Sequence, residues 1–232
     1  VWSNGGYVLV GSQSSFNRLT IAQGGKVFFP NYAVGGVNIG YNTWACSNSV
    51  LVTDPGSFLL ASNTSAGFYI GSAATAEGNS LIVSNGGKVA QFGDAYVGYG
   101  SNNLLLVTGP GSVFSNSAGG AYGLQVGWGS KGNRIVVTDG GRVSSVYSIS
   151  DIGRPAGSIS NTVTVTGSGS VWTNSGLLGV GIYLGTYNSL IITNGGRVIT
   201  ASATVGGNNL GNISSNNTVI VTDTGSVWQV EN

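Results

Sequence analysis

A pattern of alternating apolar and polar residues recurs eight times along the chain. Each copy begins with an asparagine, and apolar residues stand at the second and fourth positions after it. The copies start about 28 to 29 residues apart, a period typical of solenoid proteins. The eight asparagines are Asn17, Asn48, Asn79, Asn103, Asn133, Asn161, Asn188 and Asn217.

Two further markers accompany the copies. The residues after the first turn alternate: odd copies read Gly-Gly-(Lys/Arg)-Val, as in Gly86–Val89, whereas even copies read Gly-Ser-(Val/Phe), as in Gly111–Val113. The full repeat is therefore a doublet of about 57 residues. An apolar residue followed by glycine also precedes each asparagine, and these glycines are Gly11, Gly40, Gly71, Gly98, Gly127, Gly153, Gly185 and Gly206.

The pattern predicts strands and no helices. Each copy holds three short runs of period two, separated by Gly, Asn and Ser. A strand of one copy pairs in parallel with the equivalent strand of the next copy, about 4.8 Å away. We therefore predict an all-β fold, a right-handed parallel β-helix. It has three-stranded coils of about 28 residues, eight coils and four doublets in one domain spanning residues 1–232.

The eight asparagines are predicted to form a structural ladder. An asparagine side chain stacked at the same corner of every coil can satisfy both the turn backbone and its neighbour. A binding row is the alternative interpretation. The ladder is preferred because every copy carries the asparagine and no ligand is needed to explain it.

Two segments carry a family resemblance. Asn188-Ser-Leu-Ile-Ile-Thr-Asn-Gly-Gly-Arg-Val198 and Asn161-Thr-Val-Thr-Val-Thr-Gly-Ser-Gly-Ser-Val-Trp172 resemble the repeats of bacterial autotransporter (type V secretion) passengers and PEP-CTERM surface proteins. The resemblance covers essentially the whole chain. It implies a secreted or cell-surface β-helical stalk of adhesin or matrix type, and it carries over no catalytic residues. The translocator and sorting segments of that family are not present, so we expect a segment of a longer array or a fibre subunit.

Composition excludes several classes of function. Eight Lys and Arg balance seven Asp and Glu, and a net charge of +1 gives no electrostatic footprint for nucleic acid. No apolar run approaches the roughly 20 residues of a membrane-spanning helix. The single cysteine, Cys46, excludes an intrachain disulfide, and the lack of His excludes His-based triads and metal sites. No cofactor and no metal are expected.

An enzyme is not expected either. Glycoside cleavage usually needs two carboxylates about 5 to 10 Å apart. Asp54, Asp139 and Asp223 share one corner position but lie three coils apart, about 14 Å. Asp94 and Asp151 are interpreted as isolated loop residues. A polysaccharide-acting enzyme is therefore only a distant alternative.

Two rows of surface residues are candidates for binding. Lys26, Lys88, Arg142 and Arg197 occupy one repeat position and form a candidate basic row for an anionic polysaccharide or the cell envelope; a solvated edge that discourages sheet pairing is the other interpretation. A candidate lateral apolar strip lies between the inward pairs. This strip is suited to lateral association; the other interpretation is the β-propensity of these residue types alone. It consists of Leu51, Ile82, Leu106, Val136, Ile191 and Ile220.

A third candidate is a glycan platform. Tyr99 and Trp128 follow the glycine marker on adjacent copies, and Arg154 follows it on the next, where its guanidinium can lie over the indole. Stacked aromatic residues also simply stabilise solenoid turns. The sequence thus predicts a structural rod of a bacterial extracellular fibre, stalk or matrix, with a carbohydrate-binding adhesin as the alternative. The expected partners are flanking repeats or further copies, joined end to end or laterally, with polysaccharide or the cell envelope as further candidates.

Overall fold

The protein is built from strands. The computed structural model describes residues 1–3, 5–29, 36–62, 67–117, 122–146, 149–207 and 213–231, and within these ranges it contains 23 β-strands and no helix. The strand pairs are parallel. The prediction of an all-β parallel solenoid is confirmed, and the solenoid has about seven turns.

The strands are short and follow one another closely along the chain. Most have three to five residues, as the period-two runs predict. Their bounds are β1 Trp2–Ser3, β2 Val8–Val10, β3 Arg18–Ile21, β4 Lys26–Phe29, β5 Val37–Ile39, β6 Ser49–Thr53, β7 Phe58–Ala61, β8 Phe68–Ile70, β9 Ser80–Ser84, β10 Lys88–Gln91, β11 Ala95–Val97, β12 Leu104–Thr108, β13 Val113–Ser117, β14 Tyr122–Trp128, β15 Arg134–Thr138, β16 Arg142–Val146, β17 Ile149–Arg154, β18 Thr162–Thr166, β19 Val171–Ile182, β20 Ser189–Thr193, β21 Arg197–Gly207, β22 Thr218–Val221 and β23 Val227–Val230.

The strands form two sheets. The eight-stranded sheet takes one strand from each sequence copy, in the order β3, β6, β9, β12, β15, β18, β20 and β22. The fifteen-stranded sheet has two arms that meet at β19 and continue through β21 to β23. The first arm is β1, β4, β7, β10, β13 and β16, and the second arm is β2, β5, β8, β11, β14 and β17.

Two strands differ from the predicted strand–turn–strand pattern. β19 and β21 each run without a break through a segment where two strands were expected, and so they join the two arms. Their pairing contains a register shift between Asn174 and Leu177. A bulge of this kind bends a strand and lets it turn a corner without ending.

Alternate residues of most strands point into one hydrophobic core. In the eight-stranded sheet these are the apolar pairs that follow each asparagine, such as the fully buried Leu81 and Val83. In the first arm the inward residues alternate in size between odd and even copies. A large side chain of an even copy packs against a small one of an odd copy, so the doublet is a packing unit. The inward series reads Val89, Phe114, Val143, Trp172 and Val198.

The turns also explain the doublet. The buried hydroxyl of Ser112, in an even copy, accepts a hydrogen bond from the Gly86 N–H of the preceding odd copy at 3.0 Å. The same bond recurs in the other three doublets. In odd copies this position is glycine, because a Cβ at Gly141 would lie 2.3 Å from the carbonyl oxygen of Val107. The two interfaces between turns therefore need different residues.

Candidate functional site

The eight asparagines are joined by hydrogen bonds through the whole solenoid. The Oδ1 atom of each asparagine from Asn48 to Asn217 accepts from both the backbone N–H and the Nδ2 of the asparagine one turn earlier, at 2.8–3.2 Å. The six from Asn48 to Asn188 are completely buried, whereas Asn17 is exposed. Because their amides are paired within the fold, these six cannot recognise a ligand.

The glycine marker makes room for this ladder. A Cβ at Gly127 would lie 2.2 Å from the side chain of Asn161, the asparagine of the next turn. In every other turn that is followed by a further asparagine, a glycine stands in the same relation to that asparagine. The prediction of Gly185 as the seventh marker is wrong. Val180 pairs with Ile152 in register, so Gly181 is the equivalent residue, and its Cβ would lie 2.0 Å from Asn217.

The basic row lies on the outer surface of the first arm. Lys26, Lys88, Arg142 and Arg197 are exposed, and none forms an ion pair within the described ranges. Apolar residues of the even copies, such as Phe58 and Val113, occupy the same register between them. The basic side chains are therefore two turns apart, about 9.6 Å.

The lateral apolar strip lies on the outer surface of the eight-stranded sheet. Its six residues share one register with Thr20 and Thr164. Ile220 is 43% exposed, and the other five are half-buried by neighbours on adjacent strands. We call this register the central column.

A column of mainly hydroxyl residues flanks the central column on each side. The leading column, two residues earlier in each strand, is Arg18, Ser49, Ser80, Leu104, Arg134, Thr162, Ser189 and Thr218. The trailing column, two residues later, includes Thr53, Ser84, Thr108, Thr138, Thr166 and Thr193. Sequence reasoning missed the hydroxyl columns, although position-by-position alignment of the copies shows them.

Tyr99, Trp128 and Arg154 come together on the outer surface of the second arm. The Tyr99 and Trp128 ring centroids are 6.3 Å apart, and the Arg154 guanidinium carbon lies 5.8 Å from the Trp128 centroid. The guanidinium is closer to two rings that sequence reasoning missed, Tyr183 at 4.0 Å and Tyr122 at 5.0 Å.

Tyr69 and Tyr96 extend this aromatic cluster by one further turn. They pair in register on β8 and β11, and their rings stack at 5.2 Å with an interplanar angle of 4°. Tyr99 packs against both rings. Tyr69 and Tyr96 cover one face of each other, and Arg154 lies over Tyr122, Trp128 and Tyr183, so contacts within the fold already use part of the ring surface.

Asp151 lies beneath Arg154, not in a loop as predicted. It is in β17, is 1% exposed, and its Oδ2 accepts from Arg154 Nη1 at 3.1 Å. Burial raises the pKa of Asp151 to about 6, although the arginine opposes this shift. Sequence alignment misplaced this residue because a polar residue in the middle of a strand resembles a turn.

Asp94 is not isolated either. Its carboxylate accepts from the Tyr122 N–H at 3.0 Å and from the Tyr96 hydroxyl at 3.3 Å. Burial raises the pKa of Asp94, and these two hydrogen bonds oppose the shift. Both acids of the second arm thus serve to bind neighbouring groups of the fold.

The three corner acids make separate local contacts. Asp54 accepts from the Gln23 N–H and from the Asn85 amide, and these bonds lower its pKa. Asp139 accepts from the Thr108 hydroxyl, and Asp223 from the Thr193 hydroxyl. Each acid therefore bonds to a residue of a neighbouring turn, and the three sets of contacts are separate.

Three other features complete the surface. The Cys46 thiol donates to the Thr75 carbonyl oxygen at 3.2 Å on the next turn. A groove crosses β16, β19 and β21 and is lined mainly by hydroxyl and amide side chains. Within the described ranges, no three His, Cys, Asp or Glu side chains come together, and no helix has the length and apolar character needed to cross a bilayer.

Comparison with known proteins does not identify a function, so a function must be inferred from the fold and its surfaces. No family model, curated protein or solved structure matches the chain.

Proposed function

We propose that this chain is a structural β-solenoid rod of a bacterial extracellular surface fibre, stalk or matrix. The observation that carries the proposal is the unbroken ladder from Asn17 to Asn217, together with the continuous aliphatic core beside it. We further propose a right-handed helix with eight three-stranded coils of about 28 residues, grouped in four doublets.

The contacts of such a solenoid suit a mechanical role. Each turn is joined to the next by backbone hydrogen bonds, by an asparagine pair and by buried aliphatic contacts, so bending or opening the rod disrupts all three together. We propose a mechanical rather than a catalytic role because Asp94, Asp139 and Asp151 are engaged in contacts of the fold.

The extracellular location rests on the repeat resemblance to autotransporter passengers and PEP-CTERM surface proteins. A charged fraction of only 6% and a doublet of about 57 residues support that resemblance. The outermost turns expose apolar side chains, among them Trp2, Tyr7, Val221 and Val230. Flanking repeats or further copies would cover them.

The basic row supports a second candidate function, attachment to an anionic envelope polymer. Its four exposed cations lack acidic partners within the described ranges, and they repeat on one side of the rod. Regularly spaced cations attract a polyanion in a salt-dependent manner. Binding to an anionic polysaccharide that is lost between low and high salt would support this role.

Electron microscopy of the producing cells tests the rod. Gold-labelled antibodies against this chain should decorate extended fibres or a matrix outside the cell. Label confined to the cell interior, or on compact particles, would overturn the proposal.

A further inference from the structure

The three outer columns of the eight-stranded sheet form one regular surface, which we call the hydroxyl–aliphatic face. Its strand pairs show no register shift, whereas the fifteen-stranded sheet contains two. Side chains therefore repeat about every 4.8 Å along the solenoid and about every 6.7 Å along each strand. The face is a fixed lattice rather than a set of adaptable loops.

The chemistry of this face runs in stripes. The central column is aliphatic in six of its eight positions, and hydroxyl groups dominate the columns on either side. The charged residues among the three columns are Arg18 and Arg134, both in the leading column. Because the central and trailing columns carry no charge, a polyanion is not the ligand that the face favours.

A second copy of the chain does not fit this face well. Seven strand intervals and three columns span about 34 Å by 13 Å, or roughly 450 Å². A standard interface buries about 800 Å² on each partner and has an apolar centre. Here the apolar part is a single column, and most of its residues are already half-buried.

We propose that the hydroxyl–aliphatic face binds a neutral, extended polysaccharide of equatorially linked sugars, such as cellulose or chitin, lying along the solenoid axis. In such a chain the ring faces are C–H surfaces and the hydroxyl groups lie along both edges. The ring faces would lie on the central column, where burial of C–H surface is favourable. The edge hydroxyls would reach the leading and trailing columns, whose side chains both donate and accept hydrogen bonds.

The hydrogen bonds within the protein leave two hydroxyl groups of the trailing column ready for this contact. Thr108 and Thr193 donate their hydroxyl protons to Asp139 and Asp223, which leaves lone pairs on their oxygens to accept from a sugar hydroxyl. Each contact is weak, but many repeat along a stiff ligand. An ordered polysaccharide loses little conformational freedom on binding, so it should bind better than short soluble oligosaccharides.

Adsorption to insoluble polysaccharides tests the proposal. The intact chain should adsorb to microcrystalline cellulose or chitin, and Leu106→Lys should weaken adsorption at least about tenfold because it places a charged amine in the central column. Ser115→Lys is the matched control, since Ser115 is half-buried on the outer surface of the next strand, β13. It should leave adsorption unchanged. Thr138→Val removes one hydroxyl without changing the side-chain shape, and about a twofold to threefold loss is expected.

Several outcomes would overturn the proposal. These are no adsorption of the intact chain, equal losses in Leu106→Lys and Ser115→Lys, or adsorption to anionic alginate alone, which would assign binding to the basic row. Sedimentation that shows a dimer sensitive to Leu106→Lys, without adsorption, would assign the face to a second copy. Circular dichroism must show that each variant is folded, and Thr138→Val supplies the comparison if Leu106→Lys is not. Failure here leaves the rod proposal standing, because microscopy tests that separately.

Discussion

The eight-stranded sheet and the second arm of the larger sheet are built from the same repeat, yet their outer surfaces differ. In the eight-stranded sheet every turn presents similar side chains in an unbroken register. In the second arm four outward residues of one register are buried and chemically varied: Asn38, Tyr96, Gln125 and Asp151. A regular surface follows from the repeat alone, whereas a varied one depends on contacts between particular neighbours.

The largest expected effect is in the core of the regular sheet. Val137→Asp buries a charge with no partner in a fully buried site, and we expect a loss of about 4 kcal/mol or more in the free energy of unfolding. Val136→Asp, one residue earlier and facing outward, should cost under about 1 kcal/mol. Urea unfolding followed by circular dichroism measures both. Equal stabilities would contradict the inward orientation of Val137.

Breaking the ladder in its centre should have the next largest effect. Asn133→Ala removes the Oδ1 that accepts from the N–H and Nδ2 of Asn103, and it leaves two buried donors without a partner. We expect the free energy of unfolding to fall by about 2 to 4 kcal/mol. Asn17→Ala, at the exposed end, should cost under about 1 kcal/mol. A central variant as stable as the terminal one would show that the ladder does not hold the turns together.

The free energy of unfolding should depend on pH mainly through the second arm, which contains Asp151. Asp151 has a pKa of about 6 in the folded chain against 3.8 unfolded, so its contribution favours folding below pH 4 and is lost as pH rises to 6. The raised pKa of Asp94 acts in the same direction, and the lowered pKa of Asp54 acts in the opposite one. We expect the free energy of unfolding to fall by about 2 to 3 kcal/mol as the pH rises from 4 to 6.

Asp151→Asn should remove most of that slope. Thermal unfolding of both proteins between pH 4 and pH 6 provides the measurement. Asp54→Asn is the control at a corner: because the lowered pKa of Asp54 acts in the opposite direction, this variant should not reduce the slope. A wild-type stability that rises with pH over this range would refute the assignment.

A smaller effect is expected when alanine fills the space that a marker glycine leaves for the ladder. Gly127→Ala and Gly24→Ala both place alanine at a positive φ, at +75° and +77°, so each should lose about 1 kcal/mol from backbone conformation. Only the Gly127 variant also meets the ladder, at Asn161, and about 1 to 2 kcal/mol more is expected there. The difference between the two melting temperatures reports this contact. Identical melting temperatures would mean that the ladder shifts without cost.

The regular features of the fold could be predicted from the sequence. Residues such as Leu81 and Val83 alternate with outward ones, and parallel stacking turns equal positions into columns. The irregular features could not. Gly185 satisfied the marker pattern as well as Gly181, and only the pairing of Val180 with Ile152 distinguishes them.

The candidate surfaces divide in the same way. The basic row and the central column follow from repeat position, and Tyr99, Trp128 and Arg154 follow from their place after the glycine marker. The contacts of Arg154 with Tyr183 and Asp151 could not be predicted from repeat position, because these residues stand at unequal positions in their copies. Such contacts depend on side-chain reach across turns and on the bulges in β14 and β19.

By itself, the sequence determined the repeat, the strand faces and the positions of the ladder asparagines, since these depend on local alternation and on a period that every copy shares. Tertiary structure alone decided which surfaces stay open. It buried Asp151 under Arg154, packed the aromatic rings against one another, and left the hydroxyl–aliphatic face partly exposed among the residues that the structure describes. Burial depends on what a neighbouring turn places above a residue, and that neighbour is defined only when the chain has coiled.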